Sequence, residues 1–423
     1  MTDLVEDLRW RGLIEDATPG LEEALAAGRV TGYVGFDPTA PSLHAGSLLP
    51  VLALARLQRA GHRPIAVVGG GTGMVGDPSG KSQERQLLSA AAIAENVAGL
   101  RAQLGRFLDF DDPRTGALLV DNAEWLGPLG LMEFLRDVGK HFTVNAMTAR
   151  ESVKRRLASE EGISFTEFSY MLLQAYDYLV LHDRHGCTLQ MGGSDQWGNI
   201  LSGIDLIRRL RGAKAHGLVS PLVTDAAGRK FGKTEAGAVW LDPERTSPYH
   251  FYQFWLNVAD ADAARYLRYF TFLDRGRIAE IEADFARAPE ERLAQRVLAE
   301  EVTRMTHGAD GLARAERVTD FLFGKEVAEL RADDLAAGLA DAPTTEIPRD
   351  ELAAGLPAVD LLVRAGVEGS KGAARRLVAS GGAYLNGRRL EDGTTVGPDD
   401  ALDGTLLVLR KGKKTYRLVR VAG

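Results

Sequence analysis

Tyr33-Val-Gly-Phe-Asp-Pro-Thr-Ala-Pro-Ser-Leu-His-Ala-Gly-Ser47 joins a β-rich run, Thr31 to Phe36, to an apolar helical pattern that begins at Leu48 and runs to Arg59. A second apolar run, Pro64 to Val68, follows. Strand, turn, helix and strand in this order form the unit from which parallel sheets covered by helices are made. The turn is rich in Gly and Pro and delivers Thr39 and His44 to a helix start, where free backbone N–H groups favour an anion. Pro50 lies near the first turn of that helix, where it is tolerated but is expected to loosen the turn.

Outward from this unit, residues 30 to 230 go on alternating β-rich runs with helical patterns, which predicts an α/β domain over residues 1–230. From Ser247 to Phe323 the periodicity is almost continuously helical, so residues 231–324 are expected to hold a loop and a helical domain. The stretch 325–355 bears Ala, Asp and Pro and suits a linker. Residues 356–423 then form a separate small module. Ser370 is a fitting N-cap for a short helix carrying Lys371, Arg375 and Arg376, and Gly381-Gly-Ala-Tyr-Leu-Asn-Gly387 turns into a hairpin followed by Arg388 and Arg389. Helix, hairpin and basic rim resemble the small α+β RNA-binding domain shared by ribosomal proteins and several RNA-modifying enzymes.

The composition of this 423-residue chain, 45% hydrophobic and 26% charged, is that of a globular protein with two or three domains. The segment Met1 to Trp10 is charged and does not read as a signal peptide, and no apolar run is long enough to cross a bilayer. The single Cys187 allows no internal disulfide, so a cytoplasmic location is expected. A net charge of -7 argues against a uniformly basic nucleic-acid binder, but the balance is uneven. From Pro357 onward there are 12 Lys and Arg against 7 Asp and Glu, a balance of +5, which leaves 39 against 51, or -12, for the rest. A polyanion would bind the tail, or a local groove of the acidic body.

Four further segments carry chemistry. Gly71-Thr-Gly-Met-Val-Gly76 matches a dinucleotide fingerprint, with Glu95 near the spacing of a ribose acid, and supports an NAD-dependent dehydrogenase as a rival reading. Against it, Pro78 and Gly80 would break the helix that the fingerprint must open, and a P-loop fails because Val75 stands where its first glycine belongs. A plain glycine-rich turn remains open. In Tyr170-Met-Leu-Leu-Gln-Ala-Tyr-Asp177, intervals of four and three put Tyr170, Gln174 and Asp177 on one helical face, suited to a polar small molecule. Gly192-Gly-Ser-Asp-Gln-Trp-Gly-Asn199 lets a ligand approach the backbone, and Asp195 can accept two ribose hydroxyls. Lys230-Phe-Gly-Lys-Thr234 puts two lysines on a glycine-containing loop expected to be mobile.

Together these segments and the tail closely resemble the bacterial tyrosyl-tRNA synthetases, a class I aminoacyl-tRNA synthetase family, over essentially the whole chain. The resemblance implies a Rossmann-type parallel-sheet catalytic domain in a homodimer, with tyrosine, ATP accompanied by Mg²⁺, and tRNA(Tyr) as substrates. By position, Tyr33 and Asp177 would hold the phenolic hydroxyl, and Asp77, Tyr170 and Gln174 the α-ammonium group. Asp37 and Gln196 would line the tyrosine site. Gly46, Ser47, Gly193 and Asp195 would meet ATP, the last two at its ribose. Thr39, His44, Lys81, Arg85, Lys230 and Lys233 would act on the polyphosphate, and Lys371, Arg375, Arg376, Arg388 and Arg389 would contact RNA. Two positions depart from the family: Ser47 stands where His or Asn is usual, and Val34 where a cysteine is common.

The chemistry required is consistent with that assignment. Attack of a carboxylate on the α-phosphorus of ATP needs no strong base, so alignment and charge stabilisation should dominate. A Tyr/Asp pair suits a phenol better than an indole. No cluster of His, Cys and acids suggests a structural metal. The dehydrogenase and a non-catalytic RNA-binding protein stay as alternatives.

Overall fold

The computed structural model describes residues 3–79, 88–160, 162–226, 228, 231–234, 237–323, 330–340, 342–412 and 415–422. The chain divides into two compact units, Met1–Asp242 with Val258–Leu298, and Pro243–Asn257 with Ala299–Gly423. The helical stretch 247–323 is thus shared between them.

In the first unit, β1 (Asp16–Ala17), β2 (Thr31–Phe36), β3 (Arg63–Val68), β4 (Leu118–Asp121), β5 (Cys187–Gly193) and β6 (His216–Ser220) form one sheet in the order β1-β6-β5-β2-β3-β4. All pairings are parallel except β1 with β6. Pro64 to Val68 and the whole of β6 are buried, the continuous pattern of strands covered on both faces. The chain steps outward from β2 through β3 to β4, then returns to β5 on the other side of β2. The crevice at the carboxyl ends of β2 and β5 is therefore the topological switch point, where open α/β sheets bind ligands.

Two helices frame that crevice. Leu48–Arg59 joins β2 to β3, entered through a short 3-10 turn at Ala45–Ser47. Phe165–His185 precedes β5; Ser164 caps its start by accepting the Glu167 N–H at 3.2 Å, and Gly186 ends it with φ 60°. Its buried Glu167 makes a two-pronged ion pair with buried Arg156 at 2.8 and 2.7 Å. Tyr178, on the same helix, packs edge-to-face on Tyr33 with ring centroids 5.2 Å apart and donates its hydroxyl to the His216 carbonyl at 2.7 Å.

The Gly71–Gly76 turn does not open a dinucleotide-binding helix. Only a 3-10 turn, Thr72–Met74, follows β3, and the next described helix begins at Ala90. Its leading N–H groups are already engaged: Asn122 accepts from Gly71 at 2.8 Å and from Thr72 at 3.4 Å, and Asp121 accepts from the preceding Gly70 at 3.1 Å. Amides satisfied by side chains from the end of β4 cannot cradle a pyrophosphate.

β7 (Lys233–Thr234) and β8 (Gly237–Ala238) pair as a small ribbon, also within the first unit. The second unit carries β9 (Thr344–Pro348), β10 (Leu356–Pro357), β11 (Ala383–Leu385), β12 (Arg388–Arg389), β13 (Thr395–Val396), β14 (Leu406–Lys411) and β15 (Thr415–Ala422). Five of these form a sheet in the order β12-β11-β14-β15-β9. β11 and β12 meet through a two-residue turn, Asn386 at φ 48° and Gly387 at φ 83°, the positive pair a tight hairpin demands. Ser370 caps the helix Lys371–Ala379. The stretch expected as a linker holds the helix Ala332–Gly338 and β9, which runs parallel to β15 with Leu418 opposite Thr344. Ile347 is fully buried there with Leu407, Leu409 and Val419, so apolar packing makes this segment part of the small domain.

Candidate active site

A cavity of about 340 Å³ opens at the switch point. Tyr33, Asp37, Thr39, His44, Gly46, Ser47, Asp77, Tyr170, Gln174, Asp177, Gly193, Asp195 and Gln196 all line it. The sequence scatters these residues over four segments; β2, β5, the helix Phe165–His185 and the turn after β3 bring them together. Four of them are aspartates, and no Lys or Arg among the described residues lines the wall. The field of such a wall favours a cationic group.

At the deep end, Asp177 is buried and accepts the Trp125 indole N–H at 2.7 Å and the Asn122 amide at 2.9 Å. Burial nevertheless pushes its carboxyl up to about 7, outweighing those two donors. Tyr33 is also buried, and its hydroxyl has no hydrogen-bond partner among the described residues. Burial, then the neighbouring Asp177 charge, raises the Tyr33 phenol well above its ordinary value, so it is a donor at all working pH. A hydroxyl-bearing ligand supplies what this orphan lacks.

Nearer the mouth the polar groups are chained. Gln196 donates to Asp77 at 2.7 Å, Gln174 to Gln196 at 3.2 Å, and Asn199 to Gln174 at 2.9 Å. The Tyr170 hydroxyl donates to Asp37 at 3.2 Å, and Thr72 donates to the same oxygen at 3.4 Å. Burial first, then Asp37, Asp77 and Asp177, raise the Tyr170 phenol too. Asp37 and Asp77 thus sit in geometry fixed from both sides.

At the other end, His44 accepts the Gly46 N–H on Nδ1 at 3.0 Å and lies edge-on to Trp240 at 6.3 Å. The two signature runs meet here. Gly232 stands at φ 90°, and a Cβ on it would fall 2.5 Å from the Gly46 nitrogen. Val239 donates to the Gly232 carbonyl at 3.2 Å and Ala45 to that of Val239 at 2.7 Å, tying the second run to the first. Lys81, Arg85 and Lys230 lie outside the described residues, as does the Lys233 side chain. Val34 is buried and lines the cavity, presenting methyl groups where a thiol is common in the family.

Sequence reasoning missed Thr72, Asn122, Trp125, Gln190 and Asn199. Thr72, Asn122, Gln190 and the ends of β3, β4 and β5 share one signal, a polar residue in or just after an apolar strand. Gln190 is buried on β5 opposite Tyr33, and its amide oxygen has no partner among the described residues. In the second unit, Arg375, Arg376, Arg388 and Arg389 are exposed, as is Lys371. Lys371 pairs with Asp360 at 2.7 Å and Arg388 with Asp400 at 2.6 Å.

The model of the tRNA synthetases class I (W and Y) matches residues 26–324, and that of the tyrosine–tRNA ligase SYY-like C-terminal domain matches 334–419. The tyrosine–tRNA ligase of Roseiflexus castenholzii is 57% identical over 423 residues, all of both chains. That of Geobacillus stearothermophilus is 51% identical over 99% of this chain and all of its own. Among solved structures, the C-terminally truncated Aspergillus nidulans mitochondrial tyrosyl-tRNA synthetase superposes with a TM-score of 0.68 at 32% identity, covering 76% of this chain and 95% of its own. The chain belongs to the class I tRNA synthetases and, within them, to the tyrosine–tRNA ligases.

Proposed function

We propose that tyrosine–tRNA ligation by this chain runs on the cavity between β2 and β5, with each wall taking one part of the substrates. Tyr33 donates to the tyrosine phenol oxygen, and Asp177 accepts the phenol proton in a hydrogen bond. Asp77, Tyr170 and Gln174 hold the α-ammonium group, and Asp37 and Gln196 set the positions of these partners. Gly193 and Asp195 take the ATP ribose. Thr39, His44, Gly46 and Ser47, with Lys81, Arg85, Lys230 and Lys233, face the polyphosphate of ATP, which enters as its Mg²⁺ complex. The tyrosine carboxylate then attacks the α-phosphorus, the bond to the β-phosphate oxygen breaks, and pyrophosphate leaves. A hydroxyl of the tRNA terminal ribose next attacks the activated carbonyl and releases AMP. The orphan Tyr33 hydroxyl beside buried Asp177 carries this reading, because it is a costly arrangement unless a phenol fills it. Tyrosine-dependent exchange of label between pyrophosphate and ATP tests it; absence of exchange with pure protein, tyrosine and MgATP would overturn it.

The same reading gives the exposed Arg375, Arg376, Arg388 and Arg389 to tRNA(Tyr), and gives the chain a cytoplasmic setting. A homodimer is supported by apolar side chains left uncovered on the first unit: Leu131 is 69% exposed, Met132 77% and Phe165 78%. Sedimentation at micromolar concentration checks this, with a Met132→Glu variant expected to sediment as a monomer.

A further inference from the structure

The helix Asp260–Phe270 contributes nothing to the cavity wall, yet one of its faces is built against the segment leading into the second lysine run. Asp262, Arg265, Tyr266 and Phe270 share that face by helical spacing. Asp262 accepts the Ala226 backbone N–H at 2.8 Å. Arg265 and Tyr266 donate to the Thr224 carbonyl at 2.7 and 3.0 Å, and Arg265 also pairs with Asp262. Phe231 is buried between the Tyr266 ring, edge-on at 4.9 Å, and the Phe270 ring, stacked at 5.2 Å. The Phe231 N–H closes the segment by donating to the Val223 carbonyl at 3.1 Å.

The far end of this helix is held by the signature helix itself. Arg56, on Leu48–Arg59, donates to the Tyr269 and Thr271 carbonyls at 2.8 and 3.1 Å. Contacts therefore run in a ring: the helix that starts beside His44–Ser47 fixes Asp260–Phe270 through Arg56. That helix grips Phe231, and Phe231–Gly232 rests against Gly46.

We infer that the face formed by Asp262, Arg265, Tyr266 and Phe270 is a positioning device for tyrosine activation, which sets through Phe231 where the Lys233 run stands against the His44–Gly46 turn. The inference rests on the assignment of Lys233 to the departing pyrophosphate. None of these four side chains touches substrate; they act through the loop.

The test is a double-mutant cycle on full-length protein, read by single-turnover activation and, separately, by transfer from preformed adenylate to tRNA. Phe231→Ala is expected to slow activation by roughly 10- to 100-fold, with tyrosine affinity and transfer nearly unchanged, and to lower the melting temperature because a buried ring is lost. In a Lys233→Ala background the same change should cost less than about threefold, because the lysine it positions is gone. Tyr266→Phe, which deletes the bond to Thr224 and keeps the ring, should slow activation by roughly two- to tenfold and cover the case in which Phe231→Ala folds poorly. Equal losses from Phe231→Ala in both backgrounds, or no loss with Lys233→Ala still slow, overturn the positioning role alone. A normal activation rate in Lys233→Ala overturns the assignment of the lysine, and the inference with it.

Discussion

Trp125 donates its indole N–H to Asp177 at 2.7 Å from the far side of the cavity wall, so the buried carboxylate is oriented before any substrate arrives. Asn122 holds the second oxygen at 2.9 Å and is itself held by Thr72 and the turn after β3. Orientation of the phenol's acceptor is thus distributed over three segments of chain.

Burial pushes that carboxyl up to about 7, against an ordinary value of 3.8. Folding raises the value, so the native state binds the extra proton between these limits, and stability falls as pH rises from about 4 to 7. Above that window the cost is constant, on the order of 4 kcal/mol. The melting temperature of the wild type should therefore decline more steeply across this window than that of Asp177→Asn. A tyrosine phenol donating to Asp177 favours the ionised form, so binding near the midpoint should release a fraction of a proton. Calorimetry in buffers of different ionisation enthalpy measures it; identical heats would exclude the linkage.

Tyr33→Phe deletes a hydroxyl that has no partner among the described residues. It should cost no stability and is expected to add some, since a buried unsatisfied polar group costs about 1–3 kcal/mol. With substrate the sign reverses. Discrimination of tyrosine from phenylalanine in activation should weaken by about 0.5–1.5 kcal/mol, the worth of one hydrogen bond. Thermal melts and kcat/KM for both amino acids give the two halves; lower stability with unchanged discrimination would remove the hydroxyl from the pocket.

Legibility in the sequence followed the range of the physics involved. Thr31 to Val68 was readable because strand, turn and helix each write a local period, and the shared face of Tyr170, Gln174 and Asp177 needs only 3.6 residues per turn. Asn122 and Trp125 act at Asp177 over more than fifty residues of chain, a contact no local period encodes. β9 was hidden because Thr344-Thr-Glu-Ile-Pro348 is short and bordered by turn formers, and becomes a strand only by pairing with β15. The Gly71–Gly76 turn shows the converse: its fingerprint spacing is local and was doubted because of Pro78 and Gly80, but the side chain that occupies its leading amides, Asn122, comes from just after β4.

The exposed arginines of the second unit should bear on tRNA alone. Arg375→Glu with Arg389→Glu reverses charge on the helix and on the hairpin without touching the cavity, which lies in the first unit. Pyrophosphate exchange should remain within about twofold of wild type, while tRNA affinity drops and its dependence on log salt becomes shallower by roughly one for each lost phosphate contact. Filter binding across a salt series decides it. An unchanged slope would take RNA away from this surface.

Gly232 is a position where the two signature runs come together, and its replacement tests whether that contact matters to catalysis. A φ of 90° is costly for any residue with a Cβ, and the Cβ itself would lie 2.5 Å from the Gly46 nitrogen, where backbone cannot yield as a side chain can. Gly232→Ala must therefore move the loop away from the His44–Gly46 turn or move the turn. In the proposed assignment tyrosine lies against Asp177 and Asp77 rather than Gly46, so its dissociation constant should stay within about twofold. Activation should fall by roughly 10- to 100-fold, as expected when a charge-stabilising group is displaced by about an ångström. Transfer from preformed adenylate should be spared, since pyrophosphate has already left. Gly228, also at positive φ but with nothing within 4 Å of its would-be Cβ, supplies the control for backbone strain alone. If Gly228→Ala slowed activation as much as Gly232→Ala, strain rather than contact with Gly46 would account for the loss.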